Sequence, residues 1–150
     1  MTEPLFRSIG GEDNYMQVAH AKALSTIADF VSLVKLNKHS FTMAKLRFKD
    51  PDLSAELGQD QFLYLWLNDI VYHDQDRLLS GVFFELPKEL EKWHYIGQRL
   101  GFEPEDVFDW CAIENGHAKG GFTLRATREK LKSEQEKMEF DEYTGISSYE

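Results

Sequence analysis

The stretch from Gly81 to Arg125 constrains the fold of this chain most, because glycines and prolines interrupt it repeatedly. Such residues are typical of places where a strand turns or ends, so the stretch predicts a tightly turned β-unit. The residues expected to build the unit are Gly81, Pro87, Gly97, Asp109, Trp110, Gly120, Gly121, Thr123 and Arg125, together with Trp66 further upstream.

A long amphipathic helix is predicted ahead of this unit, from about Tyr15 to Leu36. Asn14 and Gln17 have the spacing of an N-terminal capping box. Apolar residues then recur at three- and four-residue steps and form one stripe, which must pack on the strands downstream. They are Met16, Ala19, Ala23, Ile27, Phe30, Val31 and Val34. Residues 1–13 are expected to be a flexible lead-in, and His20 a solvated or core-edge side chain.

Two strands are predicted next. Residues 39–49 alternate in polarity, and Lys45 and Arg47 share a face with Phe41, Met43 and Lys49. We interpret this face as solvated and basic, with a phosphate or acidic-ligand site as the alternative. Phe62 to Tyr72 is apolar on both faces, which predicts a strand in the interior of the sheet. Ile70 is expected on the same face as Trp66.

The C-terminal part is predicted to be less well packed. A single domain is expected over residues 14–131, followed by a charged helix end and an acidic tail over residues 132–150. Apolar side chains are sparse in the helix expected from about Thr127 to Met138. The tail from Glu139 to Glu150 is expected to be mobile unless a partner orders it.

Charge is the main clue to function. The chain has 26 Asp and Glu against 17 Lys and Arg, a net charge of −9 at pH 7. A nucleic-acid-binding surface needs clustered basic residues, so this composition argues against one. Between Asp50 and Asn115 there are fifteen acidic and four basic residues, so the middle carries most of the negative charge. Such a segment attracts a basic partner, although simple solubility also accounts for it.

The compartment is predicted from what the sequence lacks. Cys111 is the single cysteine, which rules out an intramolecular disulfide and suits a reducing compartment. No signal-like start and no apolar run of membrane-spanning length occur. We therefore expect a cytoplasmic protein with no membrane partner.

The order of these motifs resembles the YegJ-like bacterial domain of unknown function over roughly residues 14–131. The resemblance implies an α+β fold. A strongly curved antiparallel sheet, SH3-like or a partly open barrel, packs on one long N-terminal helix, with a charged C-terminal helix and tail beyond it. Members have no established enzymatic activity, and some related small acidic bacterial domains are immunity proteins encoded beside toxins. The tail beyond about Lys132 departs from the family core.

Catalytic chemistry has few candidates. Asp109 is expected to face the Gly120–Gly121 loop, accepting backbone N–H groups of the glycines or pairing with Arg125. Cys111 with His117 as its base is the only nucleophile pair to consider, and no third group orients it. His73, Asp74 and Asp76 are interpreted as an Asp-rich turn and not a metal site. No cofactor motif is present, so neither cofactor nor metal is expected.

The sequence therefore favours a non-enzymatic protein-binding domain, most concretely a cytoplasmic immunity protein that neutralises a basic bacterial toxin. The predicted partner-binding residues are Glu103, Glu105, Asp106, Asp109 and Glu114, with further acidic side chains in the tail. The alternative is a small-molecule or enzymatic pocket near Asp109, Cys111 and Arg125.

Overall fold

The computed structural model describes residues 14–150, and the predicted lead-in over residues 1–13 lies outside them. Seven strands form one sheet in the order β4-β3-β2-β1-β5-β6-β7. The strands are β1 (Phe41–Lys49), β2 (Phe62–His73), β3 (Leu78–Phe83), β4 (Arg99–Phe102), β5 (Val107–Glu114), β6 (His117–Gly120) and β7 (Ser148–Tyr149). The helices are α1 (Asn14–Ser25), α2 (Ile27–Leu36), α3 (Pro51–Leu57), α4 (Phe122–Glu129) and α5 (Glu134–Thr144), with 3-10 turns at Lys88–Leu90 and Pro104–Asp106.

The sheet is open, with β4 and β7 at its edges. Neighbouring strands are antiparallel except for β6 and β7, which run parallel. The mixed α+β class is confirmed, whereas the expected SH3-like, partly open barrel is not. The interior position predicted for Phe62–Tyr72 is confirmed, because β2 lies between β3 and β1.

The prediction of one long N-terminal helix is wrong, because the helix breaks at Thr26. The Thr26 hydroxyl donates to the Lys22 carbonyl at 2.7 Å and accepts the indole N–H of Trp110 at 3.0 Å. A threonine that bonds back to its own helix competes with the regular backbone ladder. α2 packs on β2 and β5, while α1 runs beside β5 and packs on α4.

Both faces of the sheet are covered, each by its own cluster of buried apolar side chains. One cluster lies under α2 and includes Phe30, Leu65, Leu67 and Trp110. The other lies under α4 and α5 and includes Trp66, Cys111 and Leu124, with Phe140 contributed by α5. The sheet is therefore the middle layer of the domain.

Asp50 caps the start of α3. Its carboxylate accepts the backbone N–H of Leu53 at 3.0 Å, and Pro51 occupies the first helical turn. Both are favoured at helix starts, the first because it satisfies an unpaired N–H and the second because it has none to satisfy. A short helix therefore follows β1 directly.

The tail is built into the fold. α5 places Phe140 in the second core with 0% of its surface exposed, and Ile146 follows at 1%. The backbone N–H of Glu150 donates to the Ala118 carbonyl at 2.9 Å, beside the short β6–β7 ladder. The expectation of a mobile tail overlooked these two apolar residues, since it rested on the acidic and polar character of residues 139–150.

β2 contains a bulge at Asp69, which has φ 51°, and the bulge changes the face on which the following side chains lie. Gly81 lies opposite, where an added Cβ would stand 2.8 Å from Ile70 Cδ1 and 2.9 Å from Leu67 Cβ. Arg99 closes the bulge from β4, donating to the Asp69 carboxylate at 2.5 Å and its carbonyl at 3.1 Å. Ile70 therefore belongs to the core cluster under α2. The prediction that it shares the face of Trp66 is wrong.

Candidate functional site

Three side chains on adjacent strands form a row beneath α4. Lys45 of β1 pairs in register with Trp66 of β2 on one side and Asp109 of β5 on the other. Trp66 is 1% exposed, Lys45 2% and Asp109 0%. The Lys45 ammonium lies 5.5 Å from the centre of the Trp66 ring and 3.3 Å from the hydroxyl of Thr123. Lys45 is thus a core residue, and its predicted place on a solvated basic face is wrong.

Asp109 caps α4 from a distant point in the sequence. The residue before the helix is Gly121, which has no side chain to cap it. The Asp109 carboxylate accepts the backbone N–H groups of Phe122 at 3.2 Å and Thr123 at 2.7 Å, and the Thr123 hydroxyl at 2.6 Å. It also accepts the backbone N–H of Trp110 at 2.8 Å. A carboxylate that satisfies helix-start N–H groups also interacts favourably with the helix dipole.

The partners expected for Asp109 therefore need correction. Its donors are the backbone of Phe122 and Thr123, not the glycines before them. Arg125 points elsewhere: its Nε donates to the Gly120 carbonyl at 2.9 Å, and its guanidinium lies 4.9 Å from the Tyr149 ring. The Asp109–Trp110 and Gly120–Arg125 motifs form one capping arrangement between β5 and α4.

Burial raises the pKa of the Asp109 carboxyl from its ordinary value of 3.8 to about 6. The hydrogen bonds from Thr123 and Trp110 and the charge of Lys45 oppose this rise, because each of them favours the ionised form. The carboxyl is therefore mainly ionised at pH 7. Its charge is balanced in the core by the ammonium of Lys45.

Cys111 and His117, the nucleophile pair considered from the sequence, are not brought together. Cys111 is 0% exposed and pairs in register with Gly120, whereas His117 pairs with Glu114. Three residues of strand, about 10 Å, separate these two positions along the ladder. The His117 imidazole instead contacts the Ser148 hydroxyl at 2.8 Å.

The alternative pocket near Asp109, Cys111 and Arg125 is not formed by these side chains. Asp109 and Cys111 have no exposed surface, and Arg125 binds the backbone of Gly120. Within residues 14–150, no group of three or more His, Cys, Asp or Glu side chains is placed to hold a metal ion. The turn of His73, Asp74 and Asp76 is part of that described region.

The predicted partner-binding carboxylates are divided by the fold. Glu103, Glu105 and Asp106 are exposed together at the 3-10 turn before β5. Glu114 is exposed at the other end of the eight-residue strand, about 23 Å away. Asp109 lies between them in the core, so it is not accessible to a partner. The acidic turn 103–106 is therefore the compact part of the predicted surface.

Within the turn, Glu105 differs from its neighbours. Glu103 and Asp106 form a capping box, in which each side chain accepts the other's backbone N–H, with the Glu103 N–H at 3.1 Å. Glu105 has no such structural role. Among the described residues, none of the three forms an ion pair, whereas Asp52, Asp60, Asp69, Asp141 and Glu150 each lie within 4.0 Å of a basic side chain.

A groove of about 600 Å³ lies beside the acidic turn. Glu105 and Asp106 line one part of it, and Tyr64, Phe108 and His20 supply aromatic walls. The His20 ring stacks on Phe108 at 4.2 Å, and its Nδ1 bonds the Phe108 carbonyl at 2.9 Å. The sequence did not indicate this grouping, because Phe108 is the extra residue of a bulge between β1 and β5.

None of the helices in residues 14–150 combines the length and apolar character needed to span a bilayer.

Comparison with known proteins identifies a family and one distant relative. The chain is 29% identical over 106 residues to a putative ankyrin repeat protein of Neisseria meningitidis serogroup B. That alignment covers 71% of the chain and 39% of the relative, so the chain spans well under half of that protein. No solved structure matches. Residues 13–148 match the family described as uncharacterized protein conserved in bacteria (DUF2314). The matched residues include most of the tail, which was expected to depart from the family core. The YegJ-like label is not confirmed, but the match covers nearly the whole chain, which therefore belongs to the bacterial DUF2314 family.

Proposed function

We propose that the chain is a non-enzymatic protein-binding domain that docks a basic partner through its acidic surface. The observation that carries this proposal is the cluster of exposed carboxylates at Glu103, Glu105 and Asp106, which have no basic partner among the described residues. Paired carboxylates elsewhere already have their charge balanced. Carboxylates that have no basic partner within residues 14–150 keep a negative electrostatic potential, which attracts an oppositely charged protein and stabilises the complex.

The groove beside the turn supports the same proposal. The carboxylates of Glu105 and Asp106 line the groove together with Tyr64 and Phe108, a combination that suits the ammonium or guanidinium group of a partner's Lys or Arg. Arg47 also lines the groove and contributes one positive charge of the chain's own. The relative from Neisseria is named for ankyrin repeats, which are repeat units that build extended binding surfaces. That name is consistent with a domain of this kind beside a protein-binding region.

In its most specific form, the partner is a basic bacterial toxin and the domain is its cytoplasmic immunity protein. The net charge of −9 supports this form, because inhibitors of nucleic-acid-degrading enzymes commonly present negative charge to a basic active site. We expect the wild-type chain to protect cells against the isolated partner, and a charge-reversed variant to give no protection.

The direct test is affinity capture with the whole chain from its native host, followed by titration with the purified partner. Glu105→Lys should weaken binding more than tenfold, since close charge pairs contribute on the order of 1.5 kcal/mol or more. Glu105 is the right position because the capping box does not use it. Glu129→Lys, an exposed reversal on α4, serves as the control. Equal affinity of both variants, at low and high salt, would overturn the proposal.

A further inference from the structure

The loop between the 3-10 turn Lys88–Leu90 and β4 exposes three large apolar side chains. Trp93 is 45% exposed, Tyr95 67% and Ile96 65%. Single exposed apolar residues are ordinary, but three within four positions form a patch. Trp and Tyr are also the residues that most often dominate the binding energy of protein interfaces. We call this segment, Trp93 to Ile96, the apolar loop.

The apolar loop is held in one conformation from beneath. The Gln98 side chain accepts the backbone N–H of Tyr95 at 3.1 Å and the Nδ1–H of His94 at 3.2 Å. The backbone N–H of Gly97 donates to the Phe83 carbonyl at 2.8 Å, and that of Phe83 donates to the Gln98 carbonyl at 3.0 Å. A loop fixed in this way loses little conformational entropy on binding.

The remaining residue of the loop points inward and anchors it. The His94 ring stacks on Phe83 at 4.8 Å and meets the edge of Phe48 at 5.8 Å. One side chain therefore packs into the domain, while its neighbours on both sides face solvent. The exposure of Trp93, Tyr95 and Ile96 follows from this fixed geometry and not from fraying.

The surroundings of the apolar loop are acidic. α3 adjoins it, because Lys92 binds Asp52 at 2.8 Å. Asp50 is buried, and Asp52 and Asp60 are paired with lysines. The charges that remain in residues 50–60 and 85–98 are those of Glu56, Glu85, Glu89 and Glu91 against Lys88. Leu53 and Leu57, four residues apart on α3, add exposed apolar surface at 39% and 55%.

We propose that the apolar loop is the anchor by which this domain docks a protein of net positive charge that carries an apolar cleft. This inference rests on the proposed function and adds to it the contact surface. Trp93, Tyr95 and Ile96 fill the cleft, and the acidic residues around them face the partner's basic rim. The interface therefore has an apolar centre and a charged edge, as stable protein interfaces do.

Charge selects this occupant over two others. A second copy of the chain brings a further −9, so two acidic surfaces would face each other. A bilayer surface rich in anionic lipids repels the same charge. Of these three occupants, only a basic protein with an apolar cleft complements both the apolar centre and the acidic edge.

Site-specific photocrosslinking in the native host tests the inference. The photoreactive residue p-benzoylphenylalanine replaces Tyr95 in one variant of the whole chain, Glu105 in a second, and Gln75 of the exposed β2–β3 turn as the control. We expect the Tyr95 position to crosslink a protein with a basic isoelectric point, and the Gln75 position not to. With that protein purified, Ile96→Asp should weaken binding at least tenfold, while circular dichroism and the unfolding midpoint stay at wild-type values.

The outcomes separate the two proposals. Crosslinking at the Glu105 position alone would overturn the apolar loop as anchor and leave the acidic surface standing. Crosslinking at neither position would overturn both. A crosslinked homodimer or a lipid adduct at the Tyr95 position would replace the proposed occupant by a second copy or a membrane.

Discussion

The carboxylate of Asp109 accepts two hydrogen bonds from Thr123, one from its backbone N–H at 2.7 Å and one from its hydroxyl at 2.6 Å. These bonds join β5 to the start of α4 in a region with no exposed surface. The Lys45 ammonium meets the same hydroxyl at 3.3 Å. The attachment of α4 to the sheet therefore depends on a buried ionic cluster and not on apolar contacts alone.

Asp109→Asn should destabilise the domain by about 2–4 kcal/mol, because an amide nitrogen replaces one carboxylate oxygen and cannot accept the hydrogen bonds that are donated to it. Urea unfolding at pH 7 measures the change. The exposed Asp76→Asn is the matched control and should stay within about 0.5 kcal/mol of wild type. A loss of less than about 1 kcal/mol for Asp109→Asn would mean that the cap contributes little.

The free energy of unfolding of the wild type, compared with that of Asp109→Asn, should increase as the pH falls from 6 toward 4. The pKa of the Asp109 carboxyl is raised to about 6 in the folded state, against 3.8 ordinarily, so the folded state retains a proton that the unfolded state releases. The resulting slope is at most about 1.4 kcal/mol per pH unit, the value for a difference of one bound proton.

Urea unfolding of both proteins at pH 7, 6, 5 and 4 gives this difference directly. Other carboxylates titrate in the same range and affect both proteins alike, so they cancel. A difference that shrinks toward low pH would place the folded pKa of Asp109 below its ordinary value.

Lys45→Met should raise the pKa of Asp109 further, since the ammonium is one of the groups that lower it. The upper edge of the pH window in the previous prediction then moves upward, while the lower edge stays at the ordinary pKa. Carboxyl ¹³C NMR of Asp109 in the wild type and in Lys45→Met measures the shift. Arg47→Met, on the same strand with an exposed side chain, is the control and should leave the Asp109 titration unchanged.

Gly120→Ala should destabilise the fold by about 3 kcal/mol or more. Its φ is +75°, and an added Cβ would stand 2.4 Å from the Trp110 carbonyl oxygen. Gly58→Ala separates the two effects: its φ is +71° but nothing lies within 4 Å, so about 1 kcal/mol is expected. Thermal unfolding of both variants provides the comparison, and equal losses would show that the close approach to Trp110 is relaxed without cost.

Ile146→Ala should cost about 2–4 kcal/mol, as expected for a buried aliphatic side chain in a packed core. Ile146 is 1% exposed, whereas Met138 in the same C-terminal region is 57% exposed. Met138→Ala should therefore remain within about 0.5 kcal/mol of wild type. A loss below 1 kcal/mol for Ile146→Ala would restore the view that the tail is loosely attached.

The resemblance predicted the α+β class. The interior position of β2 was predicted because residues 62–72 are apolar on both faces, which is typical of a strand covered on both sides. The errors lie where one residue changes the local geometry. Thr26 breaks a continuous apolar stripe through its own hydroxyl, and the bulge at Asp69 moves Ile70 to the opposite face. Both depend on contacts with distant residues, which periodicity does not contain.

The site was predicted less well for a related reason. Lys45 shares a strand face with Met43 and Arg47, and only the β1–β5 register places it beside Asp109. The charge of residues 103–106 and the presence of Pro104 were enough to predict an acidic turn. The sequence did not show that Asp109, unlike the carboxylates of that turn, is buried. The apolar loop gave a usable signal, three large apolar residues between Lys92 and Gly97, although the sequence alone did not show that they face solvent.

The parallel β6–β7 pair has a kinetic consequence. β6 ends at Gly120 and β7 begins at Ser148, so the chain between them passes through both α4 and α5. The final strand can find its register only after those two helices have settled on the sheet, which makes its pairing a late event in folding. Slow amide exchange at Glu150, whose N–H is held by Ala118, would then report on the integrity of the entire helical layer.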